Sequence, residues 1–149
     1  MELERKKDIS IVYWLMDVFS DVSNITILDE YSNKELEVPS LALQTGQITA
    51  EDFQLGDRTQ KLIRLWHIDI YAKSTEQRNE IAYRLLREVD DGIPVYDYDE
   101  GFPPDYDPTK IGTIGVFSKE YTPIAVVPEL LEKIYWRGAV TIFTDYSEV

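Results

Sequence analysis

The only histidine, His67, stands two residues from Asp69 in a run of alternating residues, so the two share one strand face and could begin an acid–base site. Catalysis would also need a nucleophile. The chain has no cysteine and no Gly-x-Ser-x-Gly turn, so none is identifiable, and His67 reads as a partly buried, hydrogen-bonded structural histidine. Asp97-Tyr98-Asp99-Glu100-Gly101 opens like a calcium loop, because hard cations take clustered carboxylates. The spacing then fails: Gly101 stands where an oxygen ligand belongs, Phe102 where a glycine belongs, and Pro108 where the closing glutamate belongs. This segment reads as a solvated acidic loop. No metal or cofactor is expected, and Asp97, Asp99 and Asp107 would be the first ligands to examine if calcium stabilised the fold. Gly112 and Gly115 lack the following Lys-Ser/Thr of a phosphate cradle and read as strand irregularities. Arg5-Lys6-Lys7 reads as a solvated helix start that could touch a phosphate or an acidic partner. Acids are too numerous for any pair to mark glycoside hydrolysis. No catalytic residue is assigned, and the chain is read as a non-enzyme.

The aromatic residues point elsewhere. Tyr96, Tyr98, Phe102 and Tyr106 alternate with Asp and Pro, a combination that holds large side chains outward as interface anchors. Tyr135, Trp136 and Phe143 in the closing segment join them as candidate interface residues, on a strand expected to outrun its sheet and offer unpaired backbone groups to a neighbour.

These residues need elements to position them. Ile11, Val12, Leu15, Val18, Phe19 and Val22 recur at helical spacing and predict a helix from about Leu3 to Val22. A short strand at Ile25 to Leu28, a polar turn from Asp29 to Pro39 and a strand from Leu41 to Ile48 interrupted at Gly46 follow, with a long connection from Thr49 to Thr59. From Lys61 to Ala72 both faces are substantially apolar, as in a central strand. Ser74 with Gln77 forms a capping box, and Ile81, Ala82, Leu85, Leu86 and Val89 form the stripe of a second helix that ends at Gly92. Ile68, Ile70, Ile81 and Leu85 should share one core. An edge strand at Ile93 to Tyr98, a Pro-rich loop, and two short strands at Ile111 to Phe117 and Tyr121 to Val127 come next. Leu130 to Thr144 closes the chain as a strand kinked at Gly138. The order predicts an α+β fold: a two-layer sandwich of a mixed, mostly antiparallel sheet with two main helices on one face, in a single domain over residues 1–149.

Charge narrows the function further. Fifteen Lys and Arg against 28 Asp and Glu give a net charge of −13, which opposes phosphate-neutralising contact with nucleic acid. Eight of the acids lie between Glu88 and Asp107 with no Lys or Arg among them, so that segment is an intense local field. Neither a signal segment nor a membrane span is expected, because Asp17 and Asp21 interrupt the first apolar run and no uncharged apolar stretch reaches about 18 residues.

The order of elements, with Leu65-Trp66-His67-Ile68-Asp69-Ile70-Tyr71-Ala72, the helix carrying Arg78, Glu80-Ile81-Ala82 and Leu85-Leu86, and the closing Tyr135-Trp136-Arg137-Gly138-Ala139-Val140-Thr141-Ile142, resembles the tail-terminator and neck proteins of long-tailed bacteriophages. The resemblance spans about Ile11 to Tyr146. It implies a structural virion protein, located in the tail or neck and assembled in the host cytoplasm, whose copies form a homo-oligomeric ring, usually of six, that joins tail to head. It implies a tail-tube protein and a head-completion or connector protein as partners, and DNA passing through the channel without specific binding. A lumen lined by acids would suit that passage. The alternative reading is a small acidic inhibitor or immunity-type protein that binds a basic partner through its acidic aromatic surface.

Overall fold

The structure is a computed structural model that describes residues 1–29, 38–52, 60–124 and 136–149. Helix α1 (Leu3–Val18) lays Ile11 and Leu15 into the core and hands on to Phe19 one turn later, all essentially inaccessible to solvent. It stops short of the expected Val22 because tight turns take over, with Ser20 N–H donating to Asp17 C=O and Val22 N–H to Phe19 C=O. Those turns still keep Val18 and Val22 against the core.

Strands β1 (Thr26–Asp29), β2 (Ser40–Asp52) and β3 (Gln60–Ala72) lead into α2 (Thr75–Glu88). The Ser74 hydroxyl accepts from Gln77 N–H at 3.1 Å as the capping pattern required, while the Gln77 side chain accepts from Lys73 N–H at 2.8 Å, one residue before the cap N–H that a full capping box would use. A 3₁₀ turn, Val89–Asp91, then meets Gly92, whose φ of 80° and ψ of 164° belong to a region essentially reserved for glycine. The chain leaves as β4 (Ile93–Asp97), β5 (Thr109–Ile124) and β6 (Trp136–Glu148).

The six strands form one sheet in the order β1-β2-β3-β6-β5-β4. Only β1 and β2 run parallel; the other pairs are antiparallel, and the two helices complete the expected α+β architecture. Strand β3 is central, but its faces are unequal. Trp66, Ile68, Ile70 and Ala72 are buried beneath the helices with Ile81, Leu85, Val140 and Ile142, whereas Ile63, Leu65, His67 and Asp69 on the opposite face stay half-exposed. The shared core of Ile68, Ile70, Ile81 and Leu85 is therefore present.

Besides α1, three elements differ from expectation. Strand β2 runs on to Asp52 where a connection from Thr49 was expected. Residues Thr109–Ile124 form one long strand, because Ser118, Lys119 and Glu120 keep their pairing with Phe143, Ile142 and Thr141 while a bulge at Phe117 absorbs the irregularity. The closing strand is interior, flanked by β3 and β5, and it runs through Gly138 without a register break. A Cβ at Gly138 would lie 2.9 Å from the Tyr121 ring and 3.4 Å from Arg78 Cδ, so this glycine permits close packing and makes no kink. Gly112 sits beside a register slip between β4 and β5, as a strand irregularity should, whereas Gly115 pairs regularly with Asp145. The Gly46 interruption is a register shift between Thr45 and Ile48. Most of the Asp29-to-Pro39 turn and the connection after Asp52, the end of the expected Tyr121-to-Val127 strand and the Leu130-to-Tyr135 part of the closing strand lie outside the described residues.

Candidate functional site

The N-terminal basic residues do not meet solvent as free cations. Lys6 bridges Asp97 at 3.0 Å and Asp99 at 2.9 Å, and the Met1 ammonium also reaches Asp99 at 2.9 Å. The terminal ammonium and then Lys6 hold the Asp99 carboxyl down at about 2, while Asp99 and Asp97 raise Lys6. Two carboxylates that resembled calcium ligands are thus occupied by cations of the same chain. Behind them Arg64 joins Glu4 at 2.7 Å and Asp8 at 2.6 Å, and the Trp66 indole N–H donates to the same Asp8 oxygen at 2.9 Å. Burial opposes ionisation of Glu4, but Lys7 and Arg64 outweigh it and its pKa is lowered. These contacts seat the start of α1 on the sheet.

The loop from Tyr98 to Pro108 packs against that seated helix. Tyr98 is only 3% exposed, stacked between Tyr13 at 5.7 Å and Phe102 at 5.5 Å, with its hydroxyl 3.4 Å from that of Ser10. Burial pushes the Tyr98 phenol upward against the opposing Ser10 hydrogen bond. Tyr98 is therefore a core anchor and not the interface residue expected from its spacing, because α1 supplies partners distant in the chain. Tyr96 is half-buried, its N–H donating to Ser10 Oγ at 3.1 Å. Phe102 and Tyr106 do reach solvent, at 44% and 38% exposure. Trp136 and Phe143 are half-buried within the sheet and lie apart from the loop, and Tyr135 is outside the described residues. The expected interface set thus divides between two places. In its described part the closing strand does not outrun the sheet as expected: β6 is paired on both sides from Arg137 to Thr144, and Leu130 to Tyr135 lie outside the described residues.

Two further exposed features lie largely outside the expected set, which contributes only Phe102 to them. Along α1, Ile9, Val12, Tyr13 and Met16 join Arg5 and Phe102 in a groove of about 300 Å³. Their spacing at i, i+3, i+4 and i+7 was the available signal. The other feature is the outer edge of β5. Strand β4 pairs with β5 only as far as Ile114, so Gly115 to Ile124 has no strand on that side among the described residues, and Phe117 there is 56% exposed. On the far edge, among the described residues, β1 pairs with β2 only from Ser40 to Leu43.

His67 sits on the half-exposed face with Nδ1 2.9 Å from Thr141 Oγ1, so its partner is a hydroxyl, as a structural histidine would have. The register lines up Gln44, His67, Thr141 and Glu120 across four strands. Among the described residues no cluster of three or more His, Asp or Glu side chains could hold a metal ion, and no helix is long and apolar enough to cross a membrane. The fold and its exposed features define an α+β protein with a seated acidic loop and incompletely covered sheet edges. No protein-family model matches the chain, and no curated protein matches it significantly.

Proposed function

We propose that the protein is a ring-forming assembly subunit of a bacteriophage neck, a tail-terminator-like virion protein whose copies close head to tail. In this reading the ring joins the tail tube to a head-completion or connector protein, and DNA passes through it without being held. One observation carries the reading: the edge of β5 that has no strand beside it among the described residues runs antiparallel to both β1 and β2 at the opposite edge of the sheet. A second copy placed beside the first in the same orientation therefore brings strands of opposed direction together, the arrangement that extends an antiparallel sheet. Such a contact is heterologous and closes into a ring when its rotation divides a full circle. The exposed Phe117 on one edge and Ile48 on the other supply apolar surface for that contact. The charge of −13 suits a channel that must release phosphates.

The absence of cysteine gives a direct test. Gln47→Cys combined with Ser118→Cys should, on oxidation in high salt, give a ladder of covalent multimers converging on one closed species, with rings in electron micrographs. A chain that stays monomeric, or stops at a two-fold dimer, overturns head-to-tail closure.

A further inference from the structure

The groove on α1 calls for a different occupant. Ile9, Val12, Tyr13 and Met16 cover about two turns of helix, roughly 10 Å, on the side of α1 away from Ile11 and Leu15. Phe102 forms the opposite wall, held there through its stack on Tyr98. Arg5 lines the groove as well, but Met16 on one wall and Phe102 on the other are 45% and 44% exposed, which favours cover by a segment with an apolar face.

Charge selects the kind of segment. Of the eight acids between Glu88 and Asp107, Asp97 and Asp99 are neutralised by Lys6, Asp90 by Lys119, Glu88 faces Arg87, and Asp91 is exposed at the turn before β4. Glu100, Asp105 and Asp107 lie within five residues of Phe102 along the loop, are exposed, and make no ion pair among the described residues. A second copy of a chain carrying −13 brings more acid to this rim and is disfavoured. An anionic membrane is disfavoured for the same reason. We infer that the groove between α1 and Phe102 docks a basic amphipathic helix of another protein, its apolar stripe against Ile9, Val12 and Met16 and its Lys or Arg side chains toward Glu100, Asp105 and Asp107. Helix-in-groove recognition of this kind uses anchors at i, i+3 or i+4 and i+7. The inference stands on the groove and its rim and does not rest on the ring.

The probe is an 18-residue helical peptide with a leucine stripe and lysines on the other face, titrated by fluorescence anisotropy, with a Leu/Glu peptide as control. The Leu/Lys peptide should bind while shifting the methyl resonances of Ile9 and Met16. Met16→Glu or Phe102→Ser, each with an unchanged circular dichroism spectrum, should weaken binding at least tenfold. So should the triple change Glu100→Gln, Asp105→Asn, Asp107→Asn, and the wild-type affinity should fall with salt. Equal binding of the Leu/Glu peptide, binding untouched by Met16→Glu and Phe102→Ser, or no binding at 100-micromolar peptide (~10⁻⁴ M, about −5.5 kcal/mol) overturns the inference. Self-association lost on Met16→Glu overturns it too, by making a second copy the occupant.

Discussion

Replacing Asp8 by Ala tests the buried charge network that seats α1. Asp8 and Arg64 are 6% and 4% exposed, and one Asp8 oxygen accepts from both the guanidinium at 2.6 Å and the Trp66 indole at 2.9 Å. Removing the carboxylate strands the indole N–H, a loss of about 1–3 kcal/mol. It also leaves the Arg64 charge with Glu4, whose side chain is a third exposed, as its carboxylate partner. Breaking a buried pair costs about 3–5 kcal/mol when nothing else compensates. Glu4 compensates in part, so the sum should fall near 3–5 kcal/mol, a large share of the roughly 5–15 kcal/mol that stabilises such a domain. Arg64→Met should be costly alone because it removes the guanidinium held closest to the buried Asp8 carboxylate, leaving it the longer Arg5 contact and the Trp66 indole. The double variant should lose less than the two singles together, with a coupling of about 1–3 kcal/mol, because no unpaired charge remains. Urea unfolding followed by circular dichroism gives all three values. An Asp8→Ala cost below about 1 kcal/mol, or additivity within about 0.5 kcal/mol, would refute the network as the seat of the helix.

Leu85→Ala should cost about 2–5 kcal/mol, since Leu85 is fully buried between α2 and the sheet, whereas Tyr83→Ala on the same helix, 60% exposed, should stay near 1 kcal/mol or less; equal midpoints would overturn the helix-on-sheet packing. Gly92→Ala should cost about 1–3 kcal/mol, because φ of 80° with ψ of 164° excludes a side chain and the new Cβ would meet Thr113 at 2.9 Å; wild-type thermal stability in this variant would refute the backbone assignment. The folded Asp99 carboxyl titrates at about 2 against an ordinary 3.8, a lowered value, so its clamp stabilises the fold above pH 3.8 and is lost as pH falls through about 2. Asp99→Asn should flatten the stability profile in that window, and an unchanged profile would rule the clamp out.

The parts legible in the sequence are those whose signals are local. Ser74 with Gln77, the Ile81–Leu85 stripe and Gly92 lie within one helix and its ends, and each appears where its pattern placed it. The β5 strand was harder to read because the bulge at Phe117 shifts which residues face inward: Ile114 and Val116 precede it on the helix side, and Lys119 and Tyr121 follow. No strict period of two survives such a shift. Tyr98 is buried by Tyr13 and Ser10, partners more than eighty residues away, which its own neighbourhood of Asp and Pro could not announce. The groove was obscured for a different reason. From Ile9 to Val18 helix α1 is apolar on most sides, so its periodicity identified the stripe of Ile11 and Leu15 without separating a second stripe of Ile9, Val12 and Met16.

Uncovered strand edges invite indiscriminate pairing, and the sequence of β5 restrains it. The bulge at Phe117 bends the edge, Lys119 is drawn back to Asp90 and the Leu86 carbonyl, and Pro123 removes one backbone donor. Net charge adds a longer-range restraint, because copies carrying −13 each repel before their strands can meet. Salt shortens that repulsion to about 8 Å at physiological strength and about 3 Å at 1 M, while backbone hydrogen bonds across a strand spacing of about 4.8 Å are formed only at contact. The loop acids are also set apart along the sheet, although Glu120 is exposed within the open stretch itself. The uncompensated Glu100, Asp105 and Asp107 lie beyond the Thr109 end of β5, and the open stretch from Gly115 leads away from them to Ile124. An edge contact between copies therefore need not bury the acidic rim, and a basic segment seated beside Phe102 would lower the charge that opposes closure without occupying the edge that makes it.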